Sequence, residues 1–366
     1  MRAGNRMPTA STSRLHRFPP SRPLRLGFLA LNDAAPLIVA QEHGLFRKFG
    51  LRVELSREIG WATVRDKIIY GELDGAHALG GMVISTTLGL NCPPCPCLTA
   101  CVLTLNGDAI TLSEKLWKRD IRDAHGFREE LFRARNSHVY VFGVVYPHSA
   151  QRIHLNDWLR QAGIDPDRDV RVVVVPPSQL CRNLAAGTID GFCAGDPWNS
   201  LAVSEQTGWI VATGAELNPG HPEKVFMVRS SFAESRHEEH LALVAALTES
   251  AALCEAPEFR ADLPKLLSRR EYLNVSSATI RLGLAGPFHR GHGQTTAADD
   301  FIVFHHDRAN DPTPARGAWL IERLKRHELI PSSVHVPSDL VRRPSPPHLF
   351  PQATNRHGEQ RRADSL

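Results

Sequence analysis

The chain has 366 residues, 42% hydrophobic and 22% charged, with a net charge of +4. That balance excludes collagen, a coiled coil and wholesale disorder, and no apolar run approaches the roughly 18 residues that span a bilayer. At roughly 100–200 residues per domain, the length predicts two domains or one bilobed unit. The charge is unevenly placed. Residues 1–25 carry six Arg and no acid, and residues 342–366 carry five Arg and two acids, leaving −5 for the residues between. Residues 1–23 and the Pro/Arg-rich stretch 342–366 are therefore expected to be disordered, solvated tails rather than nucleic-acid-binding arms. The N-terminal stretch has a positive start but no apolar h-region, so a cytoplasmic protein is expected. A periplasmic or membrane-associated protein is the alternative if the start codon is misassigned.

Structured sequence begins at Leu24. LRLGFLAL (24–31) reads as a strand, 34–44 as a helix closed by Gly44, and LRVEL (51–55) as a second strand. A helix over 62–71 and a strand over 73–79 continue the β-α-β-α-β rhythm of a parallel sheet covered by helices on both faces. The rhythm restarts with a strand at 138–145 and a helix at 149–163. VRVVVV (170–175) has the composition of a strand buried on both faces. A helix over 176–187, a strand over 188–195 and a helix over 196–208 follow. The last third offers a strand at 224–229, a long helix near 231–257 and an amphipathic helix at 313–328, with no further sheet. The expected organisation is lobe 1 from 24–105 plus 206–341 and lobe 2 from 106–205, an α/β clamshell whose crevice lies at the carboxyl ends of the strands.

Four stretches carry a resemblance: Gly27–Leu37 with Ala40–Phe46, Gly60–Lys67, Leu105–Thr111, and Asp190–Asn199 running on to His221-Pro222-Glu223-Lys224. In this order and spacing the sequence resembles the nitrate- and bicarbonate-binding proteins of ABC importers. It resembles still more their leaderless relatives, the cytosolic nitrate/nitrite sensors that restrain an RNA-binding antiterminator. The resemblance covers roughly residues 24–335. It implies a two-lobed, type II periplasmic-binding-protein-like fold that closes on a small planar anion and does no chemistry on it. It also implies nitrate or nitrite as ligand, no cofactor, and an antiterminator or an ABC permease as partner.

Nitrate is flat, singly charged and has no proton to donate. Trp61 can supply a flat apolar face and an indole N–H. Asn106 offers an amide beside Gly107, and Lys224 the compensating ammonium. Asp196 and Trp198 stand at a strand-to-helix junction, where Pro197 suits the first helical position and Asp196 the N-cap. An acid there would repel nitrate unless it pairs with Lys224, and would favour a protonated anion such as bicarbonate. Relatives carry a His early in the helix after the strand at 138–145, and counting back from Trp158 puts Gln151 at that place. Lys224→Ala or Trp61→Ala is expected to abolish ligand-induced compaction with the fold intact.

The remaining clusters are weaker. Cys92, Cys95, Cys97 and Cys101 could suit a thiolate metal site, but three prolines stiffen the segment and no second half-site follows; incidental reduced thiols are expected. A thiamine-pyrimidine-synthase-like enzyme is the remaining alternative, with these cysteines as its motif. His237-Glu238-Glu239-His240 lacks the zinc spacing. His289–Gly293 reads as a Gly-rich surface loop.

Overall fold

A computed structural model describes residues 22–296 and 300–336. The tail readings for 1–21 and 342–366 lie outside these residues, while Arg22 is tied down by two hydrogen bonds to Asp74. Among the described residues, thirteen strands occur in chain order: β1 Leu24–Phe28, β2 Val53–Arg57, β3 Gly75–Leu79, β4 Cys97–Asn106, β5 Asp108–Ser113, β6 Val141–Val144, β7 Arg171–Val174, β8 Gly191–Gly195, β9 Gly208–Thr213, β10 Pro222–Arg229, β11 Phe288–Gly291, β12 Gln294–Thr296 and β13 Ile302–Val303. Lobe 1 is a six-stranded sheet in the order β13-β4-β10-β3-β1-β2, and lobe 2 a five-stranded sheet in the order β7-β6-β8-β5-β9.

Each sheet is mixed rather than parallel. β1, β2 and β3 run parallel, as do β6, β7 and β8, but β10 is antiparallel to both β3 and β4, and β5 to both β8 and β9. The antiparallel strands are the ones that carry the chain between lobes. β4 leaves lobe 1 at Asn106 and β5 enters lobe 2 at Asp108, with Gly107 (φ +105°) turning between them. The return lies further along than expected. β9 pairs with β5, so residues 208–213 belong to lobe 2, and the chain re-enters lobe 1 only at β10.

β7 also departs from expectation. It sits at the edge of its sheet, and Val174 is 55% exposed. A run of valines cannot distinguish an edge from a centre. By contrast β4 is buried along its whole length, and its LTACVLTL packs between the helices of lobe 1. Four predicted helices stand close to their expected places: Ala35–Glu42, Trp61–Ile69, Ala150–Arg160 capped by Ser149, and Pro314–Arg326 capped by Thr313. The long helix near 231–257 breaks at Arg236 into Ser230–Ser235 and His237–Glu255.

The lobes touch. A Cβ on Gly81, in lobe 1, would lie 1.8 Å from the carbonyl oxygen of His148 in lobe 2, and one on Gly283 would lie 1.9 Å from a carboxylate oxygen of Asp196. The Gly-rich loop at 289–293 is the β11–β12 hairpin. It reaches lobe 2, where His292 stacks on Trp117 at 3.7 Å. Of the four clustered cysteines, Cys95 and Cys97 have their sulfurs 4.0 Å apart, and burial pushes the Cys101 thiol up to about 12.

Candidate functional site

At the junction of the lobes, a buried polar cluster surrounds Lys224. The side chain projects from β10, between Leu79 of β3 and Thr104 of β4, and is fully buried. Its ammonium lies 2.9 Å from Asp33 Oδ2, bonds Glu223 Oε1, and stands 5.7 Å from the centre of the Trp61 ring. Trp61 heads its helix behind Gly60 and packs 5.2 Å from His77, whose Nε2 is 2.7 Å from Asp33 Oδ1. Gln151 reaches across from lobe 2, and its Nε2 donates to the same Glu223 Oε1. Lys224 and Gln151 thus aim two donors at one oxygen of a planar carboxylate, beside the Trp61 ring. Trp61 Nε1 and Gln151 Oε1 are buried there without hydrogen-bond partners.

The charges hold one another. Burial works against ionisation of Asp33, but Lys224 and His77 outweigh it and lower its pKa. Burial likewise opposes the Lys224 ammonium, and Asp33 and Glu223 overcome that and raise it, so it stays a cation. His77 is lowered by burial despite Asp33, which favours the neutral ring. Next to this group, Asp108 lies 2.7 Å from His154 Nδ1 and 3.2 Å from His221 Nε2. Burial lowers the tendency of His221 to charge, but the carboxylates of Asp108 and Glu223 raise it to about 9.

Of the residues singled out in the sequence, Trp61, Gln151 and Lys224 come together. Asn106 does not join them: its amide accepts from Gly220 N–H at 2.9 Å and donates to Asp300 O at 2.8 Å, fixing the first interlobe crossing in a left-handed conformation (φ +57°). Asp196 does not pair with Lys224. Its carboxylate accepts from the backbone and hydroxyl of Ser200, one residue out of step with the expected N-cap, and from Asn32 at 3.3 Å. Trp198 lines a cleft of about 610 Å³ between the lobes with Arg57, Glu58, Ser178 and Val275.

The partners of Lys224 are Asp33 and Glu223, which the sequence did not single out. Consecutive strand residues normally face opposite ways. The β10–β4 register shifts on both sides of Lys224, and this bulge lets Glu223 and Lys224 enter one cluster. Because Lys224 offsets two buried carboxylates, Lys224→Ala should cost stability as well as binding, which the sequence expectation of an intact fold left out.

Burial raises Asp196 to about 6, only partly offset by Ser200. Its ionised form therefore costs stability, and the cost sets in as pH rises from 3.8 towards 6. Asp196→Asn keeps an acceptor for Ser200. Thermal unfolding should show the variant gaining on the parent chain across that window and holding a constant lead above it.

With this geometry in hand, the sequence matches the NMT1-like family over residues 17–268. The chain belongs to the NMT1-like family. Within it, the chain is 30% identical over 344 residues to the nitrate/nitrite binding protein NrtA of Nostoc sp. strain PCC 7120, covering 91% of this chain and 77% of that protein. The crystal structure of the periplasmic nitrate-binding protein NrtA from Synechocystis PCC 6803 superposes with a TM-score of 0.81 at 29% identity, covering 85% of this chain and 83% of that one. The nitrate import ATP-binding protein NrtC of Synechocystis sp. strain PCC 6803 is 36% identical over 338 residues, 92% of this chain; the chain spans about half of its length. This NMT1-like protein is thus homologous to the NrtA substrate-binding proteins of ABC importers. These are solute-binding proteins rather than enzymes, and the two-lobed periplasmic-binding-protein fold is common to both.

Proposed function

We propose that this chain binds nitrate or nitrite at the lobe junction, and that closure of the lobes on the anion is the event a partner reads. The observation that carries the reading is the grip of Lys224 and Gln151, one from each lobe, on a trigonal oxyanion beside the Trp61 ring. In the protein that oxyanion is the Glu223 carboxylate, and a planar monoanion of similar shape would take the same two donors. The unpartnered Trp61 N–H supplies a third. A ligand that bridges the lobes binds the closed form better than the open one, as any signal by closure requires.

The role proposed is that of a cytosolic nitrate sensor whose closure alters its affinity for a regulatory protein such as an antiterminator. The sequence resemblance supports it. Homology to import proteins favours a second role, delivery of the anion to an ABC permease. Cell fractionation with mapping of the native N-terminus separates them: a soluble cytoplasmic pool supports the sensor, and an exported or anchored pool the importer.

The ligand is tested by calorimetric titration with nitrate, nitrite and bicarbonate. Glu223 competes with any anion for Lys224 and Gln151 but could accept the hydroxyl of bicarbonate. Glu223→Gln is expected to tighten nitrate about tenfold and to leave bicarbonate unchanged or weaker. No heat with any of the three anions, in parent or variant, would overturn the reading.

A further inference from the structure

Beside the anion grip lies a second buried constellation that the oxyanion reading does not use. Asp108 opens β5, His154 lies on the helix Ala150–Arg160, and His221 immediately precedes β10. One ligand atom from each lies within 4.8 Å of the other two, and all three side chains are fully buried. We propose that Asp108, His154 and His221 form a binding site for a divalent first-row transition metal ion, zinc before the others.

Four observations carry the assignment. His221 donates its Nδ1 proton to Asn218 O at 2.8 Å, which turns Nε2 towards Asp108, where a metal ion would take the place of the proton that the carboxylates favour. A backbone carbonyl on the far nitrogen is the usual way a metal-bound imidazole is oriented. Next, His221 Nε2 and Asp108 Oδ1 face each other at 3.2 Å, yet neither makes a hydrogen bond. Two ligands at about 2.0–2.1 Å from one tetrahedral ion lie about 3.3 Å apart, so this spacing needs little adjustment around a metal. Third, Glu223 Oε2 is also buried and without a hydrogen bond, 3.7 Å from His221 Nε2, within reach of a fourth position. Fourth, Gly214 leaves room for the carboxylate: a Cβ there would lie 1.9 Å from Asp108 Oδ1.

Charge points the same way. Asp33 and Glu223 share the Lys224 ammonium, whereas Asp108 faces the imidazoles of His154 and His221. A divalent ion would offset the excess that buried carboxylates otherwise carry at a cost. Two imidazoles and a carboxylate in compact array suit zinc, cobalt or nickel and not calcium or magnesium, which prefer all-oxygen sites. The site stands on its own geometry, whether or not the crevice takes nitrate.

The test uses the full chain, stripped with a chelator and titrated with Co2+ as an optical probe. The expected result is visible d–d absorption of a low-symmetry site, saturating at one ion per chain and displaced by Zn2+. His154→Gln, whose secondary structure is checked by circular dichroism, should weaken Co2+ about tenfold or more. If that variant does not fold, the parent chain carries the test alone: Zn2+ at 100 times its dissociation constant should raise the unfolding temperature, and Mg2+ should not. No saturable absorption and no Zn2+-dependent rise in unfolding temperature would overturn the site. So would Co2+ affinity unchanged in a folded His154→Gln protein.

Discussion

Replacing Lys224 with methionine should lower the unfolding free energy by about 3–5 kcal/mol and abolish anion binding. The stem survives in methionine, so the loss isolates the charge. Lys224 is fully buried with Asp33 at 2.9 Å on one side and Glu223 on the other. Without it, two carboxylates remain in a medium that solvates neither, and the strain can be relieved only by taking up protons. The deficit should therefore shrink as pH falls. Asp33, held below the usual carboxylate range by Lys224 and His77, loses that support in the variant and protonates more readily. Denaturant titrations of both proteins at several pH values check this. Adding Asp33→Asn to the variant should recover part of the loss, because it removes one of the stranded charges. A variant as stable as the parent at neutral pH would mean that the ammonium is not what holds the cluster.

Gly81→Ala should keep both lobes folded and keep them apart. Gly81 sits in the helix Gly80–Thr87, where alanine is intrinsically the better residue by about 1 kcal/mol. Lobe 1 alone therefore gives no reason for loss. The obstacle is the other lobe: the new methyl group would lie 1.8 Å from the His148 carbonyl oxygen, and a backbone atom cannot swing aside as a side chain can. The closed arrangement must open for the overlap to vanish, which withdraws Gln151 from Glu223 and Lys224. If closure becomes about a hundred times rarer, apparent anion affinity falls by about the same factor. Small-angle scattering should give a larger radius of gyration, with a nearly unchanged unfolding temperature. Equal compaction and equal affinity in the variant would show that the contact yields.

The alternation of apolar runs with helix-capping glycines made two α/β lobes readable, and the family resemblance marked Trp61, Gln151 and Lys224, which do meet. What stayed hidden has specific causes. β7 reads as a central strand because VRVVVV says nothing about which strands flank it. β4 was obscured by the prolines and cysteines leading into it, although LTACVLTL is a plain buried strand. The late return to lobe 1 could not be inferred, since a strand does not announce in which sheet its partner lies. Asn106 looked like a donor for a ligand because an Asn-Gly pair at a lobe boundary serves equally as a crossing. Asp33 and Glu223 escaped notice for a different reason. Only the bulge in β10 and the approach of the residues after β1 bring both acids to the same ammonium.

The place of β10 bears on how the protein is made. Every strand of lobe 2 has been synthesised by Thr213, whereas the lobe 1 sheet has a gap between β3 and β4 until Arg229 has emerged. A nascent chain can thus complete its second half first and must hold the edges of β3 and β4 unpaired meanwhile. The strand that finally seals that gap is the one bearing Lys224, so the molecule gains its cation and its first sheet in a single act of zippering.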